Sequence, residues 1–247
     1  MKTYLHAFGM CQSMFCALPS PWQGWDEEAR DKMLLFLPLV GLEMGLLWAG
    51  LAWLGAFLGI PAAMTALGIS LFPFLVTGFL HLDGFLDVTD AVKSCRDLPR
   101  RREILKDSHV GAFAVIGCGM VLLAQFVSAL SIPQTGRLWL LALLPVVSRC
   151  GSALAVTALP PMSTSQYASQ HLPKGRCIVL AVMAGAALAV GFWADVRVGL
   201  ALLGCGAGYA LALRRGYRSL EGMNGDIAGY ALTLAELAGL AAFALMG

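Results

Sequence analysis

Apolar residues run through this chain in long uninterrupted stretches, and the polar positions are gathered between them. A hydrocarbon core of about 30 Å is crossed by roughly 20 apolar residues in an α-helix. By that measure, spans are predicted near 33–58, 61–82, 110–130, 137–158, 176–194, 197–213 and 228–246. The predicted fold class is all-α, a polytopic integral membrane protein of about seven transmembrane helices. It forms a single membrane domain over 1–247, with 1–32 as a cytoplasmic or interfacial amino-terminal segment and 83–109 as a cytoplasmic catalytic loop. Within 1–32, Tyr4, Leu5, Phe8, Met14, Phe15 and Leu18 recur at roughly helical spacing and Trp22 and Trp25 follow, which predicts an interfacial amphipathic helix with an aromatic anchor.

Composition agrees with the pattern. Hydrophobic residues make up 58% of the chain and charged ones 13%, where a soluble domain carries about a quarter, and the mean hydropathy is +0.74. A net charge of +2 with no basic run interleaved with aromatics excludes a nucleic-acid partner and leaves the lipid bilayer. The seven cysteines lie mostly in apolar segments without close pairing, which is neither a disulfide nor a zinc framework.

Lys and Arg set the orientation. Lys2, Arg30 and Lys32 precede the first span, and Lys93, Arg96, Arg100, Arg101, Arg102 and Lys106 follow the second. Lys174 and Arg176 follow the fourth span, and Arg214, Arg215 and Arg218 the sixth, whereas only Arg137 and Arg197 fall on the opposite side. The richer side is predicted to be cytoplasmic, with the amino terminus inside and the carboxyl terminus outside. The polar segments then share one membrane face, as suits a surface-facing site better than a transport path. Glu43, Arg149 and Glu236 are the ionisable residues inside spans, apart from His81 at a span's end. Arg149 is a candidate partner for Glu236.

The candidate chemistry sits at the end of the second span. His81-Leu82-Asp83-Gly84-Phe85-Leu86-Asp87-Val88-Thr89-Asp90 places three carboxylates at offsets of four, three and seven, one face of a helix. Their repulsion disfavours the site unless a cation sits among them, and oxygen donors without thiols or paired histidines point to Mg²⁺. Gly84 would admit a phosphate or metal close to the backbone. A second constellation, Gly222-Met223-Asn224-Gly225-Asp226-Ile227-Ala228-Gly229, suggests a tight turn feeding the last span, with Asp226 free to cap the helix or reach a metal.

The run from Gly78 to Ala91 resembles the diagnostic block of the cobalamin synthase family. Lys106-Asp107-Ser108-His109-Val110-Gly111, Ser148-Arg149, Asn224-Gly225-Asp226-Ile227-Ala228-Gly229 and Phe36-Leu37-Pro38-Leu39-Val40-Gly41 are similar to further blocks in the family's order. His109 stands where many members carry Arg, and Thr233 where many carry Glu. The resemblance implies a bacterial or archaeal cytoplasmic (inner) membrane enzyme with its active site facing the cytoplasm. It would join adenosylcobinamide-GDP to α-ribazole or α-ribazole 5′-phosphate, yielding adenosylcobalamin or its phosphate and GMP, with Mg²⁺ as cofactor. It implies catalytic roles for Asp83, Asp87, Asp90 and Asp226, the first three as metal ligands. Substrate binding would fall to His81, Lys106, Asp107, Ser108, His109, Arg149 and Asn224. Two other readings of the acidic cluster are a CDP-alcohol phosphotransferase-like enzyme, whose motif Leu86-Asp87 breaks, and a cation or small-molecule transporter. Gly204, Gly206 and Gly208 suit close helix packing within one chain or between copies, so a homo-oligomer stays open.

Overall fold

The computed structural model describes residues 2–20, 24–132, 137–162 and 174–246. Trp22 of the expected aromatic anchor and residues 163–173 of the polar linker lie outside the described residues. In chain order the helices are α1 (Lys2–Phe15), α2 (Glu27–Met33), a 3-10 turn (Leu34–Phe36), α3 (Leu37–Phe57), α4 (Ala62–Val76), α5 (Leu80–Lys93), α6 (Leu98–Ile104), α7 (Ala112–Leu130), α8 (Leu140–Ala158), α9 (Lys174–Ala194), α10 (Val196–Leu220) and α11 (Gly225–Met246). Among the described residues six segments are long and apolar enough to cross a membrane, starting with the continuous Glu27–Phe57, and α4 with α5, bent by 88° between them, passes the same test only as a pair. The chain is an all-α polytopic membrane protein.

The bend corrects the predicted straight span over 61–82. Gly78 and Phe79 both take positive φ, 57° and 63°. The Phe79 N–H donates to the Phe74 carbonyl at 2.8 Å and the Gly78 N–H to that of Leu75 at 3.1 Å, so α4 ends in a Schellman motif with Gly78 at its left-handed position. The following residues start a new helix, so the segment expected as a loop over 83–109 is helical through Lys93 and again over Leu98–Ile104.

Two ends of the bundle are defined by side-chain ties. At one end the Arg101 and Arg102 guanidiniums donate to the Ser219, Leu220 and Glu221 carbonyls, satisfying the last turn of α10, and Arg176 donates to the Asp31 carbonyl. At the other end Arg137 pairs with Asp195, which also caps α10 through the Arg197 N–H. Lys and Arg concentrate at the first end.

Helix α1, expected as an interfacial amphipathic helix, packs on the bundle along one side. It runs beside the start of α3, with Tyr4 and Phe8 edge-on to Phe36 and Gln12 donating to Glu43 at 3.0 Å. Ala7, Met10, Cys11 and Phe15 are buried, while Tyr4 and Leu5 at the start of the apolar stripe are exposed, so one side of the helix packs on protein and the beginning of the stripe stays open. The hydrogen bond gives Glu43 a structural partner inside the bundle.

Close packing follows the small residues. A Cβ at Gly41 would meet the Pro145 carbonyl oxygen at 2.6 Å, and Gly45 abuts Ala142, which fixes α3 on α8. Gly204 and Gly208 face Ala242 and Ala238 of α11, so both are used for packing within the chain.

Pro73 sits inside α4 and has no N–H for the Ile69 carbonyl one turn earlier. The Trp48 indole of α3 supplies the missing donor at 2.7 Å, fully buried. Trp48→Phe is expected to lower stability in detergent by about 1–3 kcal/mol by orphaning that carbonyl. Adding Pro73→Ala should return part of the loss, because an amide at position 73 then reaches the same carbonyl. A double-mutant cycle on thermal melting checks this, and simple additivity would refute it.

Candidate active site

Helices α5 and α11 meet backbone to backbone. His81 lies beside Gly229 and its carbonyl accepts from the Thr233 hydroxyl at 3.2 Å. One turn later a Cβ on Gly84 would come within 2.9 Å of the Asp226 backbone, so the helices run antiparallel at minimal separation. Phe85 stacks on Tyr230 beside the contact, with ring centroids 5.6 Å apart. Gly84 therefore admits another helix, not a phosphate or metal as the sequence suggested. On its other side α5 packs on α7, where Gly117 lies against Thr89 and Phe85 and Gly111 leaves room for the Asp90 carboxylate.

This packing gathers the acidic residues. Asp87 lies in the field of the Asp83, Asp226 and Asp90 carboxylates. Asp83, Asp87 and Asp90 line a cavity of about 320 Å³, closed on its far side by Lys106, Asp107, Ser108, His109 and Gly111. The His109 backbone N–H and ring hold the exposed Asp107 carboxyl below the usual carboxylate range, with the ring nitrogen 2.7 Å from Oδ1. A second cavity of about 130 Å³ is mostly apolar and is bordered by His81, Asp83 and Asp226. Asp83 belongs to both.

Asn224 and Asp226 divide the work at the start of α11. The Asn224 Oδ1 accepts the Ile227 N–H at 3.0 Å, as an N-cap does, and its Nδ2 donates to Asp226 Oδ2 at 2.6 Å. Capping thus falls to Asn224, and the Asp226 carboxylate is oriented by it instead of being used by the backbone.

Arg149 is not at either cavity. Its guanidinium is about 1% exposed and meets Glu236 Oε1 at 2.6 Å, with Ser148 donating to the same oxygen at 3.0 Å. The expected substrate contact is replaced by a buried ion pair joining α8 to α11. A lone charge at that depth is costly, which is the physical reason for the pairing.

Among the described residues, no three carboxylate, imidazole or thiol groups converge on one ion. Mg²⁺ is usually held by one or two carboxylates together with substrate phosphates and waters. The donor set fits that arrangement, with a bound diphosphate completing it, and does not fit an all-protein cage.

The family model described as cobalamin-5-phosphate synthase matches residues 7–244. The chain belongs to this family. Relatives named adenosylcobinamide-GDP ribazoletransferase include one from Clostridium perfringens, 33% identical over 97% of this chain and 98% of its own length. Another from Brevibacillus brevis is 31% identical over 96% of this chain and 95% of its own. One from Corynebacterium diphtheriae is 26% identical over 83% and 79%. No solved structure matches the chain. Membership in this family favours the main reading of the acidic cluster over the CDP-alcohol and transporter readings.

Sequence reasoning missed the cavity walls contributed by Met14 and Phe15 of α1 and by Ser152 of α8. The α1 periodicity, with Met14 and Phe15 on its apolar stripe, is the signal for two of these walls.

Glycine substitutions separate packing from chemistry. Gly84→Ala should force α5 from α11 and cut turnover by about 100-fold, since displacement near 1 Å is enough for such a loss. Gly111→Ala should push the Asp90 carboxylate aside and also reduce turnover, whereas Gly119→Ala, facing open space on the same helix, should leave activity intact. Equal activity in all three variants would refute the assignment.

Proposed function

We propose that this protein transfers the cobinamide-linked phosphoryl group of adenosylcobinamide-GDP to the ribose hydroxyl of α-ribazole or α-ribazole 5′-phosphate. The products are GMP and adenosylcobalamin or its phosphate, a late step of cobalamin biosynthesis. The observation that carries the reading is the joining of two family motifs, Asp83 to Asp90 and Lys106 to Gly111, around one polar cavity in a chain of this family.

In the proposed reaction the ribose oxygen forms a bond to the cobinamide-linked phosphorus. The bond from that phosphorus to the bridging oxygen breaks, and GMP departs with that oxygen. Asp226, oriented by Asn224, accepts the hydroxyl proton and returns it to solvent. Such general-base help contributes about 100- to 10,000-fold. Lys106 and Ser108 offer donors to phosphoryl oxygens, and Asp107 holds the His109 ring at the cavity rim. Asp83 and Asp87 would hold Mg²⁺, which when bound neutralises charge on the diphosphate and leaving group. Asp90 completes the acidic wall. Buried Arg149 acts through structure alone.

Single replacements Asp83→Asn, Asp87→Asn and Asp226→Asn should each lower GMP release by at least about 100-fold while leaving melting behaviour near the parent's. Chelation of Mg²⁺ should abolish turnover. Because Asn224 is the cap, near-parent turnover by Asp226→Asn would remove that residue from the chemistry.

The basic end of the bundle is proposed to face the cytoplasm of a bacterial or archaeal cell, where nucleotide substrates are made. Cys95 is exposed at that end. A membrane-impermeant thiol reagent should modify Cys95 in inverted vesicles and not in intact cells; the opposite pattern would reverse the orientation.

A further inference from the structure

Between α1, α3, α5, α8 and α11 lies the smaller cavity, about 130 Å³, close to the size of an engineered cavity of roughly 150 Å³ that takes up benzene. Its walls include Phe15, Leu37, Val156 and Leu232, and its polar groups are His81, Ser152, Asp83 and Asp226. The corrin ring is far too large for this space. Guanine carries polar atoms around most of its perimeter, and those turned towards Phe15, Leu37, Val156 and Leu232 would be buried unpaired, each costing on the order of 1–3 kcal/mol. A lipid acyl chain would leave His81 and Ser152 facing hydrocarbon. A benzimidazole attached to ribose is a flat apolar ring system with a single free ring nitrogen to satisfy, which suits a mostly apolar cavity with a few polar groups.

We propose that this cavity binds the aromatic base of the acceptor nucleoside. The inference rests on the transferase reading above and adds a subsite to it. Asp83 borders both cavities, so a nucleoside with its base in the smaller one places its ribose at the junction. There the ribose hydroxyl lies beside Asp83 and Asp226 and faces the diphosphate cavity. Met14 and Phe15 make the amino-terminal helix part of the base-binding wall, held in the bundle by the Gln12–Glu43 hydrogen bond. The base chosen then depends on the volume of this cavity.

Val156 is a buried wall residue outside the acidic cluster, and substitutions there test the inference in the purified full-length protein. Val156→Phe should raise KM for α-ribazole by at least about tenfold and leave KM for adenosylcobinamide-GDP within about twofold. It should also penalise the dimethylbenzimidazole nucleoside more than its unsubstituted benzimidazole counterpart. Val156→Ala, which enlarges the cavity without crowding the fold, should shift preference towards the bulkier base. Equilibrium dialysis of α-ribazole without the second substrate should show the same order of affinities. Unchanged acceptor KM and affinity in both variants, or a rise confined to the donor KM, would overturn the subsite. If the parent turns over the substrate pair but fails these comparisons, only the subsite falls. If it binds α-ribazole with Val156-dependent affinity yet releases no GMP, the transferase reading falls and the subsite stands. If neither turnover nor such binding is seen, both fall.

Discussion

The contact of α5 with α11 through Gly84 is the constraint on which the candidate site depends. A Cβ at that position would overlap the Asp226 backbone, so the separation of the two helices is set by main-chain atoms and not by adjustable side chains. That separation brings Asp226 to the triple-aspartate helix and puts Asp83 at the boundary between the two cavities. Gathering four carboxylates is electrostatically unfavourable. Helix packing imposes the arrangement, and in the proposed function bound Mg²⁺ would offset the repulsion.

Deeper in the bundle, the Arg149–Glu236 pair ties α8 to α11, with Glu236 beside His81 of α5. Gly41 lies against the Arg149 side chain and the Pro145 carbonyl, so α3 joins the same layer. Each of these helices also walls the smaller cavity, and a shift in the ion pair would alter that cavity's shape. Removing one partner leaves an uncompensated buried charge, a far larger penalty than the pair's net contribution. Elsewhere polar side chains complete backbone hydrogen bonding where helices end or break. Arg101 and Arg102 close α10, Asn224 opens α11, and Trp48 serves the carbonyl that Pro73 leaves free. Part of the basic run that follows α5 is thus structural, while Lys106 lines the polar cavity.

Much of the architecture was legible because burial in lipid demands long apolar helices. The all-α membrane class, most of the spans, and the helical face of Asp83, Asp87 and Asp90 follow from runs and spacings along the chain, while the family was legible only through the resemblance of its motifs. The Thr77-Gly78 stop inside the second run was present in the sequence, yet hydropathy alone conceals it: the apolar residues continue through the turn, and only the local φ values end the helix. The apolar stripe of α1 was equally visible. Which of its residues pack on protein was not, because a stripe suited to headgroups is also suited to α3.

What the sequence determined by itself was which residues had to be helical and buried, and which acids would share a face, since both follow from local period and transfer energy. Tertiary structure decided which of those faces meet. It assigned Arg149 to Glu236 and not to substrate, gave capping to Asn224 and freed Asp226, and turned Gly84 from a ligand approach into a helix contact. It also placed an aromatic-sized cavity beside the acids. These outcomes depend on distances between residues far apart in the chain, and apolar helices of similar length can pack in many ways. Main-chain approach at small residues, and the requirement that every buried charge find a partner, select among them.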